Sequence, residues 1–369
     1  MARRTHDAAL AIWRAGVGAV DGFAATRTAL ETVQPPDQVL AVGKAAAAMT
    51  HAALARFGPV PALVVTKDGH GGGLPGHVRL IEAAHPVPDA RSLTAGRALR
   101  MAVAAMAPGS RLLLLVSGGA SSLAEDPVAG CTLKDIAALN RRLLACGMDI
   151  GAMNAARRKL SRIKGGGLLR NFRGLQADVL AISDVPGDDL GVIGSGIGIA
   201  PNPRAFACNA RIVASNATAR DAAARAAEAR GLRVLHNQEA LHDDLNALAA
   251  RWGPRLRAMG AGAIVLGGEP TLVLPENPGR GGRNQALALA LAREIAQTPD
   301  LCVVAGGTDG TDGPTDAAGG IVDGTTWGPG AAAALAAADT GSFLDARGAL
   351  LITGPTGTNV MDLLVAVRT

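Results

Sequence analysis

The 369-residue sequence has no tyrosine, three tryptophans and five phenylalanines, so aromatic residues make up only 2% of it. Its cores must therefore be filled by leucine, valine, isoleucine and alanine, and the apolar total of 49% is enough for that. The same scarcity argues against nucleic acid as a partner, because single-stranded readers stack bases on aromatic rings. The net charge of +5 suits an anionic small molecule as well as nucleic acid, but the arginines are spread along the chain and not gathered in a tail. Four cysteines, Cys131, Cys146, Cys208 and Cys302, form no CxxC pair and no zinc spacing. They read as reduced, mostly buried thiols of a cytoplasmic protein. No unbroken apolar run reaches the roughly 18 residues of a membrane span, so no membrane partner is expected. The amino-terminal stretch carries polar residues at helical spacing and reads as an amphipathic helix, not a signal peptide.

Glycine, by contrast, is abundant, with 48 residues. Such an excess points to tight turns and to places where backbone approaches a ligand. One pattern dominates: a short apolar run, a glycine-rich turn, then an alanine-rich helix. It recurs in "QVLAVGKAAAAMTHAAL", "RLLLLVSGGASSL", "ADVLAISDVPGDD", "GAIVLGGEPTLVL", "LCVVAGGTDGTDG" and "ALLITGPTGTNVMDLLVAV". Apolar runs without alternation suit strands covered on both faces. Strands alternating with helices predict an α/β fold with mostly parallel sheets flanked by helices. The length predicts two domains. The polar segment "HNQEALHDDLNALAARWGPRLRAMGAG" reads as a long helical connection and places the boundary near residue 235, giving domains over 1–235 and 236–369. Ligands in parallel sheets sit outside the carboxyl ends of the strands, so the loops there are the candidates.

After the run ending "LAVG", Lys44 stands where a helix opens. A lysine there opposes the helix dipole but would face an anion docked on the same N–H groups; the upstream glycine of a Walker A loop is missing. "VSGGASSL" places Ser117, Gly118, Gly119, Ser121 and Ser122 at a strand-to-helix turn, a seat for phosphate or carboxylate. It lacks the second glycine of a GxSxG nucleophile elbow. Gly71, Gly73 and Gly76 match GxGxxG formally, but Pro75 lies inside and a strand-like run follows, so a loop is expected there, not a dinucleotide fingerprint. "NAARRKLSRIKGGGLLR" reads as a helix carrying Arg157, Arg158, Lys159, Arg162 and Lys164 and ending at glycines, a placement that the dipole alone favours. Asp184 follows a strand and is placed to act as a base or to hold a metal. Glu269 follows another strand with Gly267 and Gly268. Arg283 sits among Gly279, Gly281 and Gly282 at a helix start, its fork suited to phosphate oxygens or to a salt bridge with Glu269. The acidic, glycine-rich loop after "LCVVAGG" holds Asp309, Asp312 and Asp316 without the alternate spacing of an EF-hand. Thr353, Thr356, Thr358 and Asn359 form a last polar cradle, expected to precede a helix.

In order, "AVGKAA", "VTKDGH", "AAHPVPD", "SGGASSL", "RRKLSRIKGGGL", "SDVPGDD", "GGEPTL", "GRGGRNQ", "GTDGTDGPTDAAGG" and "GPTGTNVMDLLV" resemble the glycerate 2-kinase family over residues 7 to 367. Members often carry the label hydroxypyruvate reductase, and their carboxyl-terminal part is the MOFRL domain. The resemblance implies a Rossmann-like amino-terminal domain, a carboxyl-terminal MOFRL domain and an active site in the cleft between them. It implies ATP-dependent phosphorylation of D-glycerate at its 2-hydroxyl, with ATP and Mg²⁺ required, small-molecule partners only, and a homodimer. Carried over by motif, Lys44, Asp184, Glu269, Arg283, Asp309 and Asn359 would line the site. Lys44 and Arg283 would neutralise phosphoryl and carboxylate charge, and Asp184 and Asp309 would share the roles of base and metal ligand. Ser117, Gly118, Gly119, Ser121, Gly268, Gly281, Gly282, Asn284, Thr308, Thr356 and Gly357 would contact substrate or ATP. Transfer of a phosphoryl group needs neutralisation and alignment above all, which fits these residue types. The chain departs from the family at "GSGIGIAPNPRAF", a segment expected to shape the substrate pocket. The competing reading is an NAD(P)H-dependent hydroxypyruvate reductase, which requires a GxGxxG opening a helix.

Overall fold

The computed structural model describes residues 2–145 and 150–369, so Cys146 lies outside the described residues. The chain forms two compact units. The first comprises Asp21–Ser215 with Gly357–Asn359; the second comprises the residues up to Val20, Asn216–Thr356 and Val360–Thr369. The units thus divide at 215/216, not at 235, and the second unit borrows the amino-terminal helix.

The first unit carries a six-stranded sheet of β1 (Gln38–Val42), β2 (Ala62–Lys67), β3 (Arg79–Ala83), β4 (Arg111–Val116), β5 (Gln176–Ile182) and β6 (Ala207–Ala214). Their order across the sheet is β3-β2-β1-β4-β5-β6, and every pairing is parallel. This is a doubly wound sheet whose winding reverses between β1 and β4. Past their first residues the central strands β1, β4 and β5 are fully buried, Leu112 to Leu115 among them, as expected for apolar runs covered on both faces. Leu40, Val42, Leu114, Val116 and Val179 share one core. Ile197, in the segment "GSGIGIAPNPRAF" that departs from the family, is part of that core.

The second unit holds β7 (Val234–Glu239), β8 (Gly262–Gly268), β9 (Leu301–Gly307), β10 (Gly319–Asp323), β11 (Leu350–Leu351) and β12 (Asp362–Arg368), ordered β11-β10-β9-β12-β8-β7. Only β7 and β8 run parallel; the other pairings are antiparallel. The expectation of mostly parallel sheets therefore holds in the first unit and fails in the second. Two of the four antiparallel pairings come from the carboxyl-terminal run "DLLVAV", which enters between β8 and β9 as an antiparallel strand, and the other two from β10, which runs back beside β9 and pairs with β11. The cradle at 353–359 accordingly precedes a strand, not a helix. β12 is buried on both faces: Leu364 and Ala366 point into one core, Leu363, Val365 and Val367 into another. The supposed helical connection after residue 234 is β7 followed by the helix Leu245–Ala258.

One face of this sheet is covered by the helices Leu245–Ala258 and Arg283–Glu294. The other is covered by Ala2–Ala19 and Asn216–Glu228. Trp13 is buried there and donates its indole N–H to the Leu363 carbonyl at 2.9 Å. The segment Arg4–Thr32 is long and apolar enough, by length and composition, to cross a membrane. Polar residues interrupt it, so a search for unbroken runs misses it. Ile12, Trp13 and Val17 are spent instead on the sheet. Of the described cysteines only Cys302 is buried; burial first, then the nearby Asp323, pushes its thiol up to about 12, and that keeps it a weak nucleophile. Cys131 and Cys208 are partly exposed, contrary to the expectation of mostly buried thiols.

Candidate functional site

In the first unit the candidate residues gather where the winding reverses. β1 ends at Val42, and Gly43 turns the chain at φ +128°. A side chain there would run into Ser117, so the loops after β1 and β4 touch backbone to backbone. They are stitched together: the Lys44 N–H donates to the Gly118 carbonyl at 2.9 Å, the Ala45 N–H to Ser117 Oγ at 3.0 Å, and the Ser117 N–H to the Val42 carbonyl at 2.9 Å. The helix Ala46–Phe57 starts from this clamp. Ser117 is fully buried and serves as a structural bolt, not as an exposed ligand.

Gly118 lies under two further candidates. A Cβ on it would collide with Asp184 and Asn359, whose side chains approach each other at 3.5 Å. Gly119, at φ +82°, is flanked by Lys44 and by His85: a Cβ there would lie 3.3 Å from Lys44 Cγ and 3.1 Å from His85 Cδ2. His85 escaped the sequence reading because "AAHPVPD" offers a lone histidine with no companion; only the fold brings it to the glycines. Ser121 Oγ bonds Ser195 Oγ at 2.8 Å. Lys44, Ser117, Gly118, Gly119, Asp184 and Asn359 are thus one cluster. Gly357 belongs to the same unit and approaches Gly22.

The second unit assembles the other candidates around the start of Arg283–Glu294. Arg283 donates Nε to Asp362 Oδ2 at 2.8 Å, Nη2 to Asp362 Oδ1 at 3.3 Å, and Nη1 to Glu269 Oε1 at 2.6 Å. Burial works against its charge, but Asp362 and Glu269 outweigh burial and raise its pKa. Asp362 is only 2% exposed; burial raises its pKa, and Arg283 holds it down in part. This explains how an arginine sits at a helix start against the dipole: two carboxylates compensate it. Sequence reasoning named the Glu269 pairing and missed Asp362. Its signal was an acid opening an otherwise apolar strand.

Asp312 caps the same helix from another loop, accepting the N–H of Asn284 at 3.1 Å and of Gln285 at 2.8 Å. Gly282 makes room for it, since a Cβ there would strike the carboxylate. Burial pushes Asp312 up to about 6, against the pull of those N–H groups. Asp309, also buried, accepts the N–H and hydroxyl of Thr311 at 2.9 and 3.0 Å. Thr308 Oγ donates to the Met361 carbonyl at 2.6 Å and accepts the Val360 N–H at 2.9 Å, tying the loop after β9 to the start of β12. Thr356 bonds the Thr308 carbonyl. Around Gly307, Asp309 Oδ1 and Asp362 Oδ1 would each lie 3.4 Å from an added Cβ. Gly268 ends β8 at φ +137° beside His242, while Gly281 packs on Thr340. Among the described residues no three acids, histidines or cysteines stand close enough to form a protein-only metal cage.

Comparison with known proteins fits this geometry. Residues 8–229 match a domain of unknown function, DUF4147, and residues 262–362 match the MOFRL family. The D-glycerate 2-kinase of Thermotoga maritima is 34% identical over 89% of this chain and 90% of its own length. The glycerate 2-kinase of Pyrococcus horikoshii is 32% identical over 90% and 87%. An Agrobacterium vitis protein provisionally named a hydroxypyruvate reductase is 35% identical over 88% and 97%. The crystal structure of a Thermotoga maritima glycerate kinase superposes with a TM-score of 0.86 at 31% identity, covering both chains entirely. From the strand ends to the loops that close them, the chain belongs to the glycerate 2-kinase family of MOFRL-domain proteins.

Proposed function

We propose that the chain is a kinase that transfers the γ-phosphoryl group of ATP to the 2-hydroxyl of D-glycerate. The single observation that carries this reading is the clamp at the winding reversal, where Lys44 and two glycines stand together beyond the ends of β1 and β4. Anions bind at such a place, and a loose phosphoryl transfer asks mainly for charge neutralisation and alignment. Lys44 supplies positive charge to the transferring group. Asp184 and Asp309, each beyond a strand end, are the carboxylates proposed to accept the hydroxyl proton. Arg283 binds an anion by exchanging Glu269, its more exposed partner, for the ligand, while Asp362 keeps the guanidinium in place. Mg²⁺ needs only one or two carboxylates beside substrate phosphates, so Asp184 and Asp309 fit it as single ligands. When bound, the ion neutralises phosphate oxygens.

The reductase reading has the doubly wound sheet in its favour. Against it, the turn after β1 reads "GKAAAA", without the fingerprint. The formal GxGxxG at 71–76 leads into the strand β3 and not into a helix, which is the wrong context for a pyrophosphate. The test is the purified protein with D-glycerate, ATP and Mg²⁺, its product resolved as 2- or 3-phosphoglycerate by ³¹P NMR. Formation of 2-phosphoglycerate with ADP is expected. NADH oxidation by hydroxypyruvate with no glycerate-dependent ADP release would overturn the proposal.

A further inference from the structure

The first unit contains a second concentration of positive charge that the proposed chemistry does not use. A cavity of about 510 Å³ is walled by Arg100, Arg158, Lys159, Arg162, Lys164 and Arg170. The sequence pattern assigns four of these, Arg158, Lys159, Arg162 and Lys164, to a helix and its carboxyl end, where the dipole alone would explain them. The structure removes that explanation for half of them. The helix Ile150–Lys159 stops before Arg162 and Lys164, and Arg170 lies beyond the glycines in a separate short turn, Leu168–Asn171.

Two of the six cations have carboxylate partners. Lys164, with its side chain 4% exposed, is paired with the equally buried Glu125 at 2.5 Å, and Arg100 is paired with Asp126. Lys159, Arg162 and Arg170 have no ion-pair partner among the described residues, and the guanidinium of Arg158 bonds only the Gly191 carbonyl. Its Nε is buried without an acceptor. The amides of Gly165, Gly166 and Gly167 are all consumed by carbonyls, so recognition here falls to side chains. Burying a guanidinium donor without an acceptor is costly, and the four cations without carboxylate partners, three of them exposed, add their positive potentials over one concavity. An anion with several charges satisfies the buried donor and meets that potential. Arginine forks match phosphate oxygens, and the volume lies within the range of small-ligand sites.

We propose that this cavity is a binding site for a small phosphate-bearing polyanion, distinct from the Lys44 clamp. The shared chemistry is a di-anionic or more highly charged phosphate, borne either by a nucleotide or by a phosphorylated hydroxy acid. The cavity wall is linked to the clamp: the Gly165 N–H donates to the Ser195 carbonyl at 3.0 Å, and Ser195 Oγ bonds Ser121.

The test is calorimetric titration of the full chain with pyrophosphate, ATP and 2-phosphoglycerate at low salt. Wild type, Lys44→Ala, and Arg162→Ala/Arg170→Ala are compared. Both arginines of the double variant are exposed, so the fold is expected to survive, and circular dichroism checks this. Pyrophosphate affinity is expected to persist in Lys44→Ala and to fall about tenfold or more in the double variant. Parallel loss of ATP binding would name a nucleotide, and loss of 2-phosphoglycerate binding a phosphorylated acid. Equal pyrophosphate affinity in the folded double variant and wild type would overturn the site. No arm measures turnover, so the outcome stands apart from that of the kinase assay.

Discussion

Lys44 and Arg283 were both legible as candidate cations, but the structure gives them different surroundings. Lys44 stands beside a glycine clamp, where its proposed part is to bring positive charge to the transferring group. Lys44→Ala is therefore expected to lower kcat about 100-fold or more; unaltered turnover of the folded variant in coupled ADP assays would contradict the role. Arg283 also holds a buried carboxylate. Arg283→Ala leaves the buried Asp362 carboxyl without its guanidinium partner, so a loss of about 3 kcal/mol in denaturant unfolding is expected together with the lost turnover. Asp312 offers a separate check. It titrates in the fold at about 6 against an ordinary 3.8. Because the folded value is raised, its contribution is complete below pH 3.8 and is lost as pH climbs through 6. The span is worth about 3 kcal/mol. Wild type should lose stability relative to Asp312→Asn between pH 4.5 and 7; a pH-independent difference would show that Asp312 titrates normally. Asp362 and His85 were illegible in the sequence because each acts through neighbours far away in the chain.

At the scale of elements, strand ends were read well and strand directions poorly. The glycine and serine loops after β1 and β4 follow from local signals, since a turn that needs positive φ must be glycine. Direction is set by pairing, which an apolar run such as "DLLVAV" does not encode; the same run serves a parallel or an antiparallel place. β7 reads as helix because none of its residues is buried, so its polar composition resembles that of a surface helix. The two-loop clamp yields a sharp expectation. Gly43→Ala must hold an alanine at φ +128° and fit a methyl group against Ser117. A destabilisation of about 2–4 kcal/mol is expected from strain and overpacking together, and protection of the β1 and β4 amides in hydrogen exchange should fall with it. Unchanged protection would mean that the loops part freely.

At the scale of the whole chain, the two-unit plan was legible from length, but the membership of each unit was not. The helix Ala2–Ala19 comes first in sequence and packs on β9 and β12. Deleting residues 2–20 is therefore expected to raise hydrogen exchange in β8, β9 and β12 and leave β1, β4 and β5 unaffected. A rise confined to the first unit would refute this assignment. A sequence reading places neighbours in the chain together by default, and here the carbonyl that accepts the Trp13 indole N–H lies 350 positions away.

That arrangement has a consequence for synthesis. At roughly 5–20 residues per second, about 200 residues separate the emergence of Val20 from that of Asn216, an interval of ~10–40 s. The last strand that Trp13 needs is made later still. Throughout that time the apolar face of the first helix has no sheet to cover it, while the unit translated next can already close around β1 to β6. A nascent chain of this protein thus carries an uncovered apolar helix face until β12 has been made and can pair between β8 and β9.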